Sequence, residues 1–286
     1  MLKKQKIEEL KKYRYAHRGL HSKPEIPENS LAAFSRAADK GFGIEFDVHL
    51  TLDKKLAVIH DSSLKRVTTM RADGRAVIPE NIDIPSDEIF LTEDKIEEIS
   101  LGEAKRYPLE ESDERIPELR EVLELINGRV PLIIELKPTA ENFRELTDLV
   151  IEELAAYDGL YAVESFNFFA VNYLRKAHHD IIRGQLATDL LKDAEEIKDG
   201  DPRERVEVSK SVNYVLRELI FNIFSRPDFV AYKFEHRRNI RFRGFKGMKV
   251  HWTIKNTLDL EIAERSGATC IFERFIPEDN SFGGKI

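Results

Sequence analysis

Short apolar runs rich in β-branched residues alternate with helical patterns along almost the whole chain, and this rhythm restricts the fold more than any other feature. "RYAHRG" gives way to "NSLAAFSRAADKG", a helix in which Asn29 or Ser30 is the N-cap, Leu31, Phe34 and Ala38 share one face, and Gly41 is the stop. "GIEFDVHL" follows, then "LAVIHD" after the turn-like "TLDKK". The alternation resumes with the helix "IPELREVLELING" and the strand "VPLIIELKP". It continues through "LYAVESF", "IIRGQLA", "DFVAYKFE", "MKVHWTI" and "ATCIFERF", with helical patterns such as "NFFAVNYLRKAH" and "NTLDLEIAERSG" between them. Serial strand–helix units of this kind build a parallel sheet, here an α/β barrel.

The strand-like segments number nine where a closed barrel needs eight. The link from Val48 to Ala57 is also too short for the dozen or more residues of a parallel crossover. The expectation is a barrel distorted near its second strand, with one surplus segment. Asp61 to Glu114 is the least regular stretch and reads as a small insertion after the third strand. On this reading residues 1–286 form one barrel domain carrying an insertion at about 61–114. A chain of 286 residues suits that size.

A formal net charge of −7 argues against a general nucleic-acid binder. Cys270 is the single cysteine, which excludes an intrachain disulfide and a cysteine-based zinc site. The start "MLKKQKIEELKKYRYAHRG" is basic but lacks the apolar stretch of a signal peptide, and no run approaches the roughly 20 residues of a membrane span. A cytoplasmic location is expected. Val212–Phe224, "VNYVLRELIFNIF", reads as an amphipathic helix packed on the protein, with lipid or partner contact as the alternative. The basic cluster Arg237, Arg238, Arg241, Arg243, Lys246 and Lys249 reads as a solvated face, with peripheral contact to an anionic membrane as its alternative.

Chemistry concentrates where the strands end. The first strand stops at His17-Arg18, and "AVIHD" stops at His60-Asp61. In "IEFD" Glu45 and Asp47 are two apart and therefore point to one side of a strand, roughly 6–7 Å from each other. Two carboxylates on one face repel unless a positive group lies between them, and a hard divalent cation held by oxygens resolves the conflict. "IIELKP" adds Glu135 and Lys137 with the same spacing, and a buried Lys137 needs an anionic partner. Two histidines, three acids, an arginine and a lysine at one mouth suit metal-assisted phosphodiester cleavage, with the histidines moving protons. No Gly-x-Ser-x-Gly elbow, dinucleotide fingerprint or phosphate loop competes with that reading.

In order, "AHRG", "PENSLAAFSRAADKGF", "GIEFDVHLTLDKKLAVIHDSSLKRVT", "IPELREVL", "IIELKP", "ESFN" and "VHWTIKN" resemble the glycerophosphodiester phosphodiesterases from about Tyr15 to Phe275. The resemblance is weakest in the insertion and in roughly Lys192–Ser225. It implies a distorted TIM (β/α)8 barrel that hydrolyses small-molecule glycerophosphodiesters to sn-glycerol 3-phosphate and an alcohol. His17 and His60 become the acid/base pair, Arg18 a phosphate ligand and Lys137 a phosphate-side cation. Glu45, Asp47 and Glu135 become ligands of one divalent ion, Mg²⁺ or Ca²⁺, while Phe166 and Trp252 line the substrate pocket. Two positions depart from the family pattern: Phe272-Glu273 stands where an aspartate-containing "TD-x-P" is usual, and Glu118 replaces a threonine. A lysophospholipase D-like or phosphoinositide-type phosphodiesterase on the same barrel is the alternative activity, and a non-catalytic phosphodiester-binding barrel the alternative class.

Overall fold

The structure, a computed structural model, describes residues 2–68, 95–196, 213–214 and 217–278. Eight parallel strands close a ring: β1 (Tyr15–His17), β2 (Gly43–Leu50), β4 (Leu132–Leu136), β5 (Tyr161–Ser165), β6 (Arg183–Ala187), β7 (Phe229–Lys233), β8 (Met248–Ile254) and β9 (Thr269–Phe272). Closure is made by β1, which pairs with β2 on one side and β9 on the other. Strands covered on both faces read as continuous apolar runs, and all eight residues of β2 are buried. The helices are α1 (Lys3–Leu10), α2 (Leu31–Asp39), α3 (Leu101–Ala104), α4 (Leu119–Ile126), α5 (Phe143–Leu154), α6 (Phe168–Ala177), α7 (Leu190–Glu196), α8 (Asn222–Ser225), α9 (Ile240–Gly244) and α10 (Thr257–Arg265).

The surplus segment is β3 (Leu56–Val58). It lies outside the ring and pairs antiparallel with β2, Val48 against Val58 and Leu50 against Leu56. A tight turn makes this return: Thr51 N–H donates to Lys55 O at 3.0 Å, and Lys54 takes a left-handed φ of 62°. Antiparallel strands need only a hairpin, which is why so short a link suffices. The return also carries the chain from the end of β2 back towards Asp47, delivering His60 there.

The barrel holds two apolar layers. Tyr15, Ile133, Ala162, Phe229, Val250 and Ile271 meet inside the ring, and α1 plugs its N-terminal end with Leu10 and Ile7. Tyr15 Oη donates to Leu10 O at 2.8 Å, so the one buried hydroxyl of that layer is satisfied by the plug. Phe34, Phe46, Val122, Ile134, Leu174 and Phe272 belong to the second layer, between strands and surrounding helices.

About half of the expected insertion, residues 69–94, lies outside the described residues. Its described flanks pack Leu64, Val67, Ile96, Leu101 and Leu109 against Ala57 and Ile59 of the β3 segment. The helix expected over Val212–Phe224 is corrected within the described residues, with Val212, Val215 and Leu216 outside them. Leu219 has a φ of 54°, which interrupts the helix, and the second piece is the short α8. Ile223 and Phe224 of α8 are exposed rather than packed, at 71% and 58%.

Candidate active site

Except for His60, which follows the outer strand β3, the predicted chemistry-bearing residues sit on the ring strands or just beyond their C-terminal ends, and β2 organises the site. Alternation along β2 sends Ile44, Phe46 and Val48 outward to the helices and leaves Glu45 and Asp47 inward. Glu135 pairs in register with Asp47 on the neighbouring strand β4. One oxygen from each of Glu45, Asp47 and Glu135 lies within 4.8 Å of the others, and all three side chains are buried. Burial, reinforced by the neighbouring carboxylates, pushes Glu45 well above the ordinary carboxylate range. Asp47 goes the opposite way: burial opposes its ionisation, but Lys137, His60 and Arg18 hold it well below that range.

Two oxygens of this group stand out. Asp47 Oδ2 accepts from Asn29 Nδ2 at 3.0 Å and faces Arg18 Nε at 3.5 Å. Asp47 Oδ1 and Glu135 Oε1 are buried without a hydrogen-bond partner. Lys137 Nζ lies 3.1 and 2.9 Å from these two atoms as an ion pair, without the angles of a hydrogen bond. An all-oxygen set with inward lone pairs left over fits a hard divalent cation of the Mg²⁺ or Ca²⁺ type and lacks the soft donors of a zinc or copper site.

The two imidazoles are held alike. His17 Nδ1 lies 2.9 Å from Glu273 Oε2, and its Nε2 is 3.9 Å from Glu45 Oε2. His60 Nδ1 lies 2.5 Å from Asp61 Oδ1, and His49 Nε2 donates to the His60 carbonyl at 3.1 Å. A carboxylate at Nδ1 keeps the proton on that nitrogen and presents Nε2 as a bare acceptor. Burial lowers both histidines from their ordinary value, with Arg18 adding to the effect at His17 and Lys137 at His60.

Arg18 follows β1 with a left-handed φ of 55°, and Gly19 continues the turn at 81°. The turn folds the guanidinium back across the barrel mouth, where Nη1 donates to Glu28 Oε1 at 2.7 Å. Glu28 also accepts from Arg66, whose guanidinium reaches Asp61 in turn. A continuous chain of charges therefore runs from His60 through Asp61, Arg66, Glu28 and Arg18 to Asp47. A cavity of about 650 Å³ opens between His17, Arg18, Lys23, Glu28, Arg66 and Glu273. A second, of about 450 Å³, is bordered by Glu135, Lys137 and Phe166, and Trp252 packs edge-on to Phe166 with ring centroids 5.6 Å apart.

The chain as a whole has relatives among known proteins. The Glycerophosphoryl diester phosphodiesterase family matches residues 17–276. The chain belongs to that family. The family takes its name from an enzymatic activity, and a glycerophosphodiester phosphodiesterase of Bacillus altitudinis is 32% identical over 183 residues, covering 62% of this chain and 67% of the relative. Another, from Caldanaerobacter subterraneus subsp. tengcongensis, is 32% identical over 56% of this chain and 60% of its own length. Among solved structures, an Oleispira antarctica phosphodiesterase in complex with the product sn-glycerol-3-phosphate superposes with a TM-score of 0.64 at 22% identity, covering 91% of each chain. That likeness establishes the shared TIM-barrel fold.

Within this family member, the seven residues expected at the strand ends come together at one rim. Phe166 and Trp252 stand beside them, half-buried. Sequence reasoning missed Glu28, Asn29 and Arg66. Asn29 was weighed only as a helix cap; Ser30 takes that role, its Oγ accepting from Ala33 N–H at 3.1 Å, which frees the Asn29 amide for Asp47. Glu164 was missed as well. It lies on β5 in register with Glu135, is 1% exposed, and has no hydrogen-bond partner on either carboxylate oxygen. A charged residue inside "YAVES" was the available signal, since an apolar barrel strand gives an acid no reason to be there.

Proposed function

We propose that the protein hydrolyses glycerophosphodiesters to sn-glycerol 3-phosphate and an alcohol, with Glu45, Asp47 and Glu135 as ligands of one divalent ion and His17 and His60 as the acid/base pair. The convergence of three buried acids within 4.8 Å, two of them with inward oxygens lacking hydrogen bonds, carries the reading. Family membership supports the substrate class.

The bound ion would neutralise the acids and polarise a phosphoryl oxygen. Arg18 and Lys137 add positive charge on the phosphate side, and Glu28 keeps the Arg18 guanidinium fixed over the mouth. One imidazole takes the proton of the nucleophile on its Nε2 while the other, protonated, delivers one to the leaving alkoxide. Glu273 and Asp61 fix the two rings through Nδ1 throughout. Water or the glycerol 2-hydroxyl serves as nucleophile; a substrate lacking that hydroxyl, cleaved at the normal rate, excludes the cyclic-phosphate route.

The deciding assay measures glycerol 3-phosphate release from glycerophosphocholine and related soluble diesters. Chelation by EDTA is expected to reduce release to background, and Mg²⁺ or Ca²⁺ to restore it. Full activity in excess EDTA would overturn the metal assignment.

A second reading, lysophospholipid or another micellar diester as substrate, is favoured by one observation. Phe169, Phe221, Ile223 and Phe224 are 62%, 37%, 71% and 58% exposed, and Phe221 stacks on Phe168 with ring centroids 4.2 Å apart. Comparison of lysophosphatidylcholine above and below its micellar threshold with glycerophosphocholine separates the two.

A further inference from the structure

Lys137 occupies the space that the proposed cation needs. Asp47 has committed Oδ2 to Asn29 and Arg18, so Oδ1 is the oxygen it has left, and Lys137 Nζ is 3.1 Å from it. The same ammonium is 2.9 Å from Glu135 Oε1. An ammonium and a divalent ion do not share a gap between two carboxylate oxygens, so the ammonium must leave as the ion enters. The lysine stem is flexible enough to swing, but its charge is enclosed and needs a carboxylate wherever it goes. Lys137 is only 17% exposed at its side chain, so water does not supply that partner.

Glu164 is the acid in position to receive it. Its strand partner across the β4–β5 pairing is Glu135, two residues before Lys137 on the same inward face. Both of its oxygens are buried, and neither accepts a hydrogen bond. A carboxylate so enclosed is costly unless a cation joins it in some state of the protein. We propose that Glu164 is a positioning residue for Lys137: when a divalent cation takes the space between Asp47 and Glu135, the Lys137 ammonium swings to Glu164, which holds it ready for substrate. This rests on the metal reading above. It adds an exchange in which a fixed internal cation guards the acids until the ion displaces it.

The test is a double-mutant cycle read by calorimetric titration of Mg²⁺ and of Ca²⁺ into the full chain, without substrate. Glu164→Gln keeps the shape of the side chain and is expected to weaken ion binding by about 10–100-fold, the usual effect of removing a partner just outside a metal's ligands. Lys137→Met removes the competitor and is expected to tighten binding. In the Lys137→Met background, Glu164→Gln should then cost less than about one tenth of its effect in the wild type. An equal loss in both backgrounds would mean that Glu164 acts on the ion without Lys137, and no loss in the wild-type background would mean that it does not act; either overturns the proposal. If Glu164→Gln fails to fold, a crystal structure of the Ca²⁺-loaded wild type decides. Lys137 Nζ within hydrogen-bond distance of Glu164 supports the exchange, and Nζ still between Asp47 and Glu135 overturns it. Wild-type protein that takes up neither ion overturns the metal reading itself, and the exchange with it.

Discussion

Each imidazole at the site is pinned through Nδ1 by its own acid, Glu273 for His17 and Asp61 for His60, so neither ring needs the other for its orientation. The longer glutamate arm at position 273 reaches the ring directly, which gives the Phe272-Glu273 departure a physical role. In the proposed mechanism both rings move protons, so loss of either would remove one of two needed transfers. His17→Ala and His60→Ala are each expected to lower kcat by about 10²–10⁴-fold while leaving thermal stability close to wild type. Steady-state kinetics on a soluble diester, alongside a melting curve, checks both statements. A variant retaining near-normal kcat would remove that histidine from the mechanism.

At the level of elements, the turn after β1 does the most for its length. Gly19 has a φ of 81°, and a Cβ there would come within 2.9 Å of Ala33 and Phe34 of α2. Gly19→Ala is expected to cost more than about 1 kcal/mol of stability and to lower turnover further still, since the same turn aims Arg18. Urea unfolding and kcat/KM measured on one preparation compare the two effects. Strand-end pairs such as Glu45–Asp47 and Glu135–Lys137 were legible from sequence because the side-chain period of a strand is two. The hairpin that makes β3 antiparallel was legible only as a contradiction, a link too short for its expected job. Glu28, Asn29 and Arg66 were not legible at all. Their partners, Arg18, Asp47 and Asp61, are set by how loops from different units meet over the barrel mouth, and no local pattern encodes that meeting.

Over the whole molecule, the buried histidine of β8 sets an acid limit. Burial lowers His251 from 6.5 to about 4, and it sits among the rings of Phe234 and Phe242 with its Nδ1 donating to Tyr232 O at 3.1 Å. Below its ordinary value the unfolded chain gains a proton that the folded chain refuses. The contribution of His251 to stability is therefore full above about pH 6.5 and is lost as the pH drops towards 4, by on the order of 3 kcal/mol in total. Denaturant unfolding between pH 7 and 5 should show this slope in the wild type and a shallower one in His251→Phe. Identical slopes would place the acid sensitivity elsewhere. At the opposite pole from the acids, α1 seals the barrel with Leu10 and Ile7, and Lys3 Nζ ties it down to the carbonyls of His179 and Ile181 at 2.9 and 2.8 Å. With the floor shut by α1 and the middle filled by side chains, the described barrel is closed from below, so in the proposed reaction diester and product would both cross the rim where the acids lie.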